Sequence, residues 1–358
     1  MKRILVVGLY NNLGGMEVFF NNYYNYLYNS FHFDFVTCDA DIIYGDKYRS
    51  NGSHVFVLPP YKKNPIKYYK ELNRIMKDNK YDLVYVNMLS AANVIPIKVA
   101  KKNKIKIITH SHSSSMKGHL LKKIFHYINR RQIINNSDVC LACSEFAGNW
   151  LYSKRDFQII NNAIDTKKYM FNKKERQDLR RQLNIKEDCF ILGNVARFSD
   201  EKNHFFMIKL IEKLSAIDKD ISLLLIGDGK NFDAIKEIII EKNLSNNVIM
   251  TGAVNDANRY YNVMDIFILP SLFEGLSLVA IEAQTNGLRC VFSKNVNKDT
   301  DINNKSLFLG INDENIEEWV QCILNLKKLN NNERITLTNN QYNIEKNVKI
   351  LKKILDNC

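Results

Sequence analysis

Hydrophobic and polar positions along this chain alternate between two periods. Short runs of β-branched and aromatic residues recur, each followed by a longer stretch with apolar residues every three or four positions. In the first half the runs predict strands over Arg3–Gly8, Asp34–Cys38, His54–Leu58, Leu83–Asn87, Lys104–His110, Val139–Ser144 and Phe157–Ile160. The helical spacing predicts Met16–Asn29, Pro65–Asn79, Ala91–Lys102, Lys117–Asn135 and Glu145–Tyr152. In the second half strands are expected over Cys189–Val195, Ser222–Ile226, Val248–Thr251, Ile266–Leu269 and Cys290–Ser293. Helices are expected there over Glu175–Leu183, His204–Ala216, Phe232–Lys242, Asn255–Met264, Ser277–Asn286 and Ile316–Lys328. Gln341–Asn357 has helical spacing of its own and could pack on either half.

A strand–helix alternation that runs twice predicts an α/β chain of two Rossmann-like lobes facing across a cleft, each with a mainly parallel sheet. The polar stretch Asp165–Lys174 separates the sets. The expected division is 1–165, a basic lobe on the acceptor side; 166–340, a lobe that binds the donor; and 341–358, a terminal helix packing back on the first lobe. A length of 358 residues suits two such lobes.

Composition narrows the class. The most apolar stretch, Tyr81–Ala100, is broken by Asp82, Asn87, Asn93 and Pro96, so no spanning helix is expected. The apolar run after Lys2 and Arg3 is too short for a signal peptide and reads as a first strand, which predicts residence in the cytosol. Seven irregularly spaced cysteines fit reduced thiols. Cys140 and Cys143 have Cys-x-x-Cys spacing, but on a strand positions i and i+3 face opposite ways, so a shared metal is not expected. The net charge is +13 and uneven: residues 1–165 carry 23 Lys and Arg against 12 Asp and Glu, while the remainder is close to balance. An anionic partner surface for the first half is one reading, and a Lys-rich solvated face is the other. The segment Met116–Ile134 joins Leu120, Leu121, Ile124, Phe125 and Ile128 with Lys117, Lys122, Lys123, Arg130 and Arg131. That pattern suits either a helix lying on an anionic membrane, peripheral on its inner face, or an ordinary lobe helix. No nucleic-acid motif is present.

Three constellations could carry chemistry. Gly14-Gly15 follows the first strand and opens a helix, where backbone amides can meet an anion, though a plain tight turn would look the same. Arg197 and Lys202 follow the first strand of the second half, where two cations would stabilise a departing diphosphate. Phe273-Glu274-Gly275 follows a strand that stops at Pro270 and leads into a helix carrying Glu282. A carboxylate amid apolar helix neighbours needs partners. Glu282 could accept the hydroxyls of a ribose, Glu274 those of a transferred sugar, and the helix start adds amides for phosphate.

At these residues the chain resembles the retaining glycosyltransferases of family 4, which have the GT-B fold and include capsule and exopolysaccharide enzymes. Glu274 and Glu282 match the family's Glu-x7-Glu frame, Arg197 and Lys202 its Arg-x4-Lys pair, and Gly14-Gly15 its amino-terminal loop. Thr109-His110-Ser111-His112 matches the strand end bearing the active-site histidine, with His112 favoured and His110 second. The resemblance implies a catalytic set of His112, Glu274, Arg197 and Lys202. It implies donor contacts from Gly14, Gly15, His110, Gly227, Val254, Gly275, Leu276, Ser277, Leu278 and Glu282. It further implies transfer of a hexose or N-acetylhexosamine from a nucleotide-sugar, of which a UDP-sugar is expected, to a saccharide or lipid-linked acceptor in surface polysaccharide synthesis. Neither a metal nor a cofactor is expected. Departures stand at Ala163, Arg289 and Lys294, where the family pattern has Gly, Pro and an acidic residue.

Asp39-Ala40-Asp41 and Asp299-Thr300-Asp301 also match the Asp-x-Asp pattern of metal-dependent transferases, but a metal site needs further oxygen ligands. Two other functions remain open: a non-catalytic two-lobed protein binding nucleotide or sugar, and a GT-B enzyme of another kind, such as a nucleotide-sugar epimerase. Release of nucleoside diphosphate would separate the first of these from a transferase.

Overall fold

A computed structural model describes residues 1–113, 120–329 and 334–358; side chains 120–122 also lie outside the described set. Contacts divide the chain into a first unit, Met1–Ala163 with Gln341–Cys358, and a second unit, Ile164–Asn340.

The first unit's sheet comprises β1 (Arg3–Val7), β2 (His32–Thr37), β3 (Val55–Val57), β4 (Leu83–Met88), β5 (Lys106–Ser111), β6 (Val139–Ala142) and β7 (Gln158–Ile159). The strands are parallel in the order β3-β2-β1-β4-β5-β6-β7. The helices are α1 (Gly15–Leu27), α2 (Gly45–Ser50), α3 (Pro65–Asn79), α4 (Ile95–Lys102), α5 (Leu120–Asn136) and α6 (Glu145–Tyr152). The run that reads as β1 has its faces split: Leu5 and Val7 join one core cluster, Ile4 and Val6 the other. Such two-sided burial is why these strands are continuous apolar runs rather than alternating ones. Helix starts are set locally. The Asn64 side chain accepts from the Lys67 amide ahead of Pro65, and Ser144 does the same for the Ala147 amide.

In the second unit α7 (Lys173–Gln182) precedes β8 (Phe190–Val195), and α8 (His204–Ile217) leads to β9 (Ile221–Ile226). Then come α9 (Phe232–Glu241), β10 (Val248–Met250), α10 (Ala257–Tyr260), β11 (Ile266–Leu269), α11 (Leu278–Thr285), β12 (Arg289–Ser293), β13 (Leu307–Leu309) and α12 (Ile316–Lys328). The order is β10-β9-β8-β11-β12-β13, again parallel. Strand order reverses beside β1 and β4 in one unit, and beside β8 and β11 in the other. Sheets of this class bind ligands beyond the strand ends at that reversal.

The last helix, α13 (Ile344–Asn357), packs on α1 and buries Ile344, Val348, Leu351 and Leu355 in the first unit's core.

Several expected elements differ. Asn255–Met264 holds a single helical turn, α10, because Tyr261, Val263 and Met264 are drawn into the core as the chain enters β11. Ala91–Val94 is turn rather than helix, and α4 begins next to Pro96, which suits a first turn. The spacing gave no sign of α2 or β13. Residues 116–119 of the expected basic segment Met116–Ile134 lie outside the described residues. Cys140 lies on β6 and Cys143 one residue beyond it. Among the described residues no helix is long and apolar enough to cross a membrane.

Candidate active site

At the carboxyl ends of β8 and β11 two loops of the second unit are bound together. The first, Ala196–Asn203, ends in a short 3-10 turn, Asp200–Lys202, and Asn203 closes it in the left-handed conformation (φ 57°). The Leu272 amide donates to the Glu201 carbonyl (2.8 Å), and Asn203 Nδ2 donates to the Pro270 carbonyl (3.1 Å). These bonds bring Lys202 and Glu274 into an ion pair, 72 positions apart in sequence and mostly shielded from water. Arg197 stands exposed on the same loop. A cation suited to phosphate and a carboxylate suited to sugar hydroxyls are thus joined at one point.

The Arg197 loop is carried by a glycine turn. The Ala196 amide donates to the Ile226 carbonyl (3.0 Å) and the Phe198 amide to the Asp228 carbonyl (2.9 Å). Gly227 has φ +135°, and a Cβ there would lie 2.0 Å from the Ala196 carbonyl oxygen. Only glycine lets the two strand-end loops approach so closely. The Gly227 amide in turn donates to the Gly252 carbonyl (3.0 Å), which ties in the segment holding Val254, itself half-buried against the core. Beneath the loop, Phe198 stacks on His204 (4.0 Å between ring centroids, 14° between planes). Burial, with the Lys202 charge nearby, pushes His204 down to about 4, so it is neutral at ordinary pH.

Glu282 lies within α11. Oε1 accepts from the Tyr169 hydroxyl (3.0 Å) and Oε2 from the Tyr261 hydroxyl (2.7 Å). Burial raises its pKa, and the two tyrosines oppose that rise. Each oxygen keeps a second lone pair, so the carboxylate can still accept two ligand hydroxyls. The sequence reading missed Tyr169 and Tyr261. Their one signal was that a carboxylate in an apolar helix requires donors. Leu276 and the cap residue Ser277 lead into α11, which Leu278 begins; Gly275 is exposed before them, and the Ser277 amide donates to Thr300 Oγ1 (3.4 Å).

In the first unit Gly14 caps α1 and Gly15 begins it. A Cβ on Gly14 would lie 2.6 Å from Glu17 Oε2, because the buried Glu17 folds back and accepts from the Tyr10 amide (3.3 Å). Nothing lies within 4 Å of where a Cβ on Gly15 would stand. Beside this loop a cavity of about 490 Å3, lined by Tyr10, Met16, Cys38, Tyr61, Asn87 and Phe125 among others, opens at the ends of β1, β2 and β4. His112 lies just past β5, with Nε2 2.9 Å from Asn87 Oδ1 and burial pushing it down to about 3. His110 lies deeper than His112. It is fully buried, its Nδ1 bonded to the Tyr85 hydroxyl (2.6 Å), and it supports His112 from below at 4.1 Å between rings. The two histidines lie two positions apart, His110 within β5 and His112 just past its end, and His110 is the more deeply buried.

The carboxylates of the Asp-x-Asp segments have protein partners. Asp39 accepts from the Asn11 amide, Asp41 pairs with Arg49, and Asp301 accepts from the Ser306 hydroxyl.

Comparison with known proteins decides the family. Residues 13–168 match the model described as Glycosyltransferase Family 4, and residues 175–344 match the one described as Glycosyl transferases group 1. The chain belongs to the family 4 glycosyltransferases. Its fold is accordingly GT-B, with two parallel-sheet α/β domains. A putative glycosyltransferase, EpsF, of Bacillus subtilis is 29% identical over 311 residues, 84% of this chain and 81% of that protein. An Escherichia coli UDP-Gal:alpha-D-GlcNAc-diphosphoundecaprenol alpha-1,3-galactosyltransferase is 25% identical, over 63% of this chain and 61% of its own. Among solved structures, Anabaena Alr3699/HepE in complex with UDP superposes over the full length of both chains with a TM-score of 0.78 at 16% identity.

Proposed function

We propose that this glycosyltransferase moves a hexose or N-acetylhexosamine from a UDP-sugar to a saccharide or lipid-linked saccharide during surface polysaccharide synthesis, retaining the anomeric configuration. The observation that carries the reading is the Lys202–Glu274 pair at the strand-order reversal of the second unit, with Arg197 on the same loop. Arg197 and Lys202 take the diphosphate, Glu274 takes hydroxyls of the transferred sugar, and Glu282, steadied by its tyrosines, takes those of the ribose. A relative whose name gives UDP-Gal as donor and a GlcNAc-diphosphoundecaprenol as acceptor, and a structural neighbour solved with UDP, support the choice of donor and acceptor.

In the front-face route the acceptor hydroxyl oxygen bonds to the anomeric carbon as the bond from that carbon to the diphosphate breaks. The acceptor's proton passes to the departing phosphate oxygen, so no protein nucleophile and no metal is needed. Two cations on the leaving group supply the electrostatic stabilisation that such a step requires. Neutral His112 would contribute a hydrogen bond to the sugar rather than a charge.

The same proposal places the enzyme peripherally on an anionic inner leaflet. Ile124, Phe125, Tyr127 and Ile128 of α5 are all exposed, with Lys123 and Arg131 exposed alongside. An apolar strip bordered by cations suits an anionic lipid surface. Lys117, Leu120, Leu121 and Lys122, which the sequence reading joined to this strip, lie outside the described residues or side chains.

Incubation with a panel of nucleotide-sugars, followed by mass spectrometry, tests the activity. UDP should be released from one donor, with the released sugar found on an added lipid-linked acceptor. No release from any donor, or an altered sugar still attached to its nucleotide, would refute transfer. Sedimentation with phosphatidylglycerol vesicles tests the surface: loss of Lys123 and Arg131 should weaken it, and an unchanged pellet would refute membrane contact.

A further inference from the structure

The second unit has a cavity of about 920 Å3 at the end of its sheet opposite the loops just described. Its walls are the amino-terminal ends of β8 and β12, Asp265 just before β11, and α7. Glycosyl transfer as proposed makes no use of this edge. Seven Lys and Arg line the cavity against three Asp and Glu.

Two guanidiniums, those of Arg176 and Arg180, share the single carboxylate of Asp265, and the buried Arg334 feels the same three charges. Arg176 Nη2 lies 2.7 Å from Oδ1 and Arg180 Nη1 3.8 Å from Oδ2, while Oδ2 also accepts from the Ile191 amide (2.7 Å). Arg176 and Arg334 have other work, donating to carbonyls of residues 261–264. Arg180 does not share that satisfaction. It is only 5% exposed, and its Nη2 reaches the Lys186 and Cys189 carbonyls, yet Nε and Nη1 have no hydrogen-bond partner. Leaving such buried donors unpaired is unfavourable, because they have given up water without gaining an acceptor. Crowding is felt by the neighbours too: burial, with Arg176 and Arg180 alongside, pulls Arg334 down to about 9. An anion entering here would answer the excess charge and the unpaired donors together.

We propose that this cavity binds a soluble phosphorylated anion, whose phosphate oxygens accept from Arg180 while Arg181 and Arg289 hold it at the mouth. A carboxylate would offset one surplus charge, whereas each phosphate offsets about two and presents several acceptors to guanidinium forks. Arg181 pairs with Asp178 and Arg289 reaches the Leu329 carbonyl, but both remain exposed and able to turn toward a ligand. The inference stands apart from the donor reading, because the two sites occupy opposite edges of one sheet.

Calorimetric titration with inorganic pyrophosphate tests it in the full chain, its Lys202→Ala variant and the double variant Arg181→Gln/Arg289→Gln. Saturable binding at this site should persist in Lys202→Ala and weaken at least tenfold in the double variant. Both mouth residues are exposed, so the unfolding midpoint should confirm that the double variant stays folded. Three results would each overturn the proposal: no saturable binding in the parent chain, complete loss with Lys202→Ala alone, or undiminished binding in the folded double variant. Phosphatidylglycerol vesicles that displace pyrophosphate from the parent would point to a lipid headgroup and overturn the soluble source.

Discussion

The Tyr261 hydroxyl lies 2.7 Å from Glu282 Oε2, 21 positions along the chain, and with Tyr169 on Oε1 it holds that carboxylate in one orientation. A hydrogen bond to a charged group contributes about 1.5–3 kcal/mol. Tyr261→Phe should therefore raise the KM for the nucleotide-sugar about tenfold and leave kcat nearly unchanged, since ribose contacts are the same in ground and transition states. The pH profile should move as well. Burial raises the Glu282 pKa and the tyrosines lower it, so removing one lets the carboxylate protonate at higher pH. The acid limb of kcat/KM should shift upward in Tyr261→Phe. An unmoved limb would show that Glu282 does not act as an ionised acceptor.

Lys202 and Glu274 form one unit in the structure, but their substitutions should separate kinetically. Lys202→Ala removes a charge that matters most when the diphosphate departs, so kcat should fall about 10²–10³-fold. Glu274→Gln keeps a hydrogen-bond acceptor and frees Lys202 from its pair, so its first effect should be on donor KM. Steady-state kinetics with a fixed acceptor concentration reads both values. Equal losses of kcat in the two variants would contradict the division of roles.

Gly227→Ala tests the support of the Arg197 loop. The added Cβ meets the Ala196 carbonyl at 2.0 Å, and the φ of +135° is strained for any L-residue. Strain of this kind costs about 1–3 kcal/mol, and a clash with backbone adds to it. Urea denaturation should show a lower midpoint with an unchanged slope, and turnover should drop even where the protein is fully folded. For the denaturation midpoint alone, Gly15→Ala, with nothing within 4 Å of its Cβ, is the control for a glycine substitution that adds no clash.

The sequence made the central strands of both sheets legible because they are buried on two faces and so appear as apolar runs, whereas β13, exposed or half-buried along its length, left no such run. Boundaries shifted where a side chain left the periodic face for the core, as Tyr261 and Val263 do beyond α10. Spacing alone placed Glu274 and Glu282, yet it could not reveal what each touches. Lys202 meets Glu274 only because Leu272 and Asn203 stitch two loops from different strands. Tyr169 reaches Glu282 from a 3-10 turn 113 positions earlier. Sequence favoured His112 over His110, and the end of β5 sets their different depths: His110 is fully buried within the strand and His112 lies just past it.

His204 gives a pH dependence whose sign is fixed by its burial. In the folded chain it titrates at about 4, against an ordinary value of about 6.5 when unfolded. Between those values the unfolded state binds a proton that the folded state does not, so stability rises with pH across the window. The contribution is fully present above about 6.5 and is lost on acidification, at up to roughly 1.4 kcal/mol per pH unit, until about 4. His112 is depressed in the same direction in the first unit, so the measurement must report on the second. The chain's two tryptophans allow this: Trp319 is buried in the second unit's core, and Trp150→Phe removes the other signal. In that background, urea unfolding followed by Trp319 fluorescence should weaken from pH 7 to pH 4.5. Adding His204→Phe, which preserves the stack on Phe198, should flatten the dependence over that range. If the two slopes coincide, His204 titrates alike in both states and its burial carries no proton linkage.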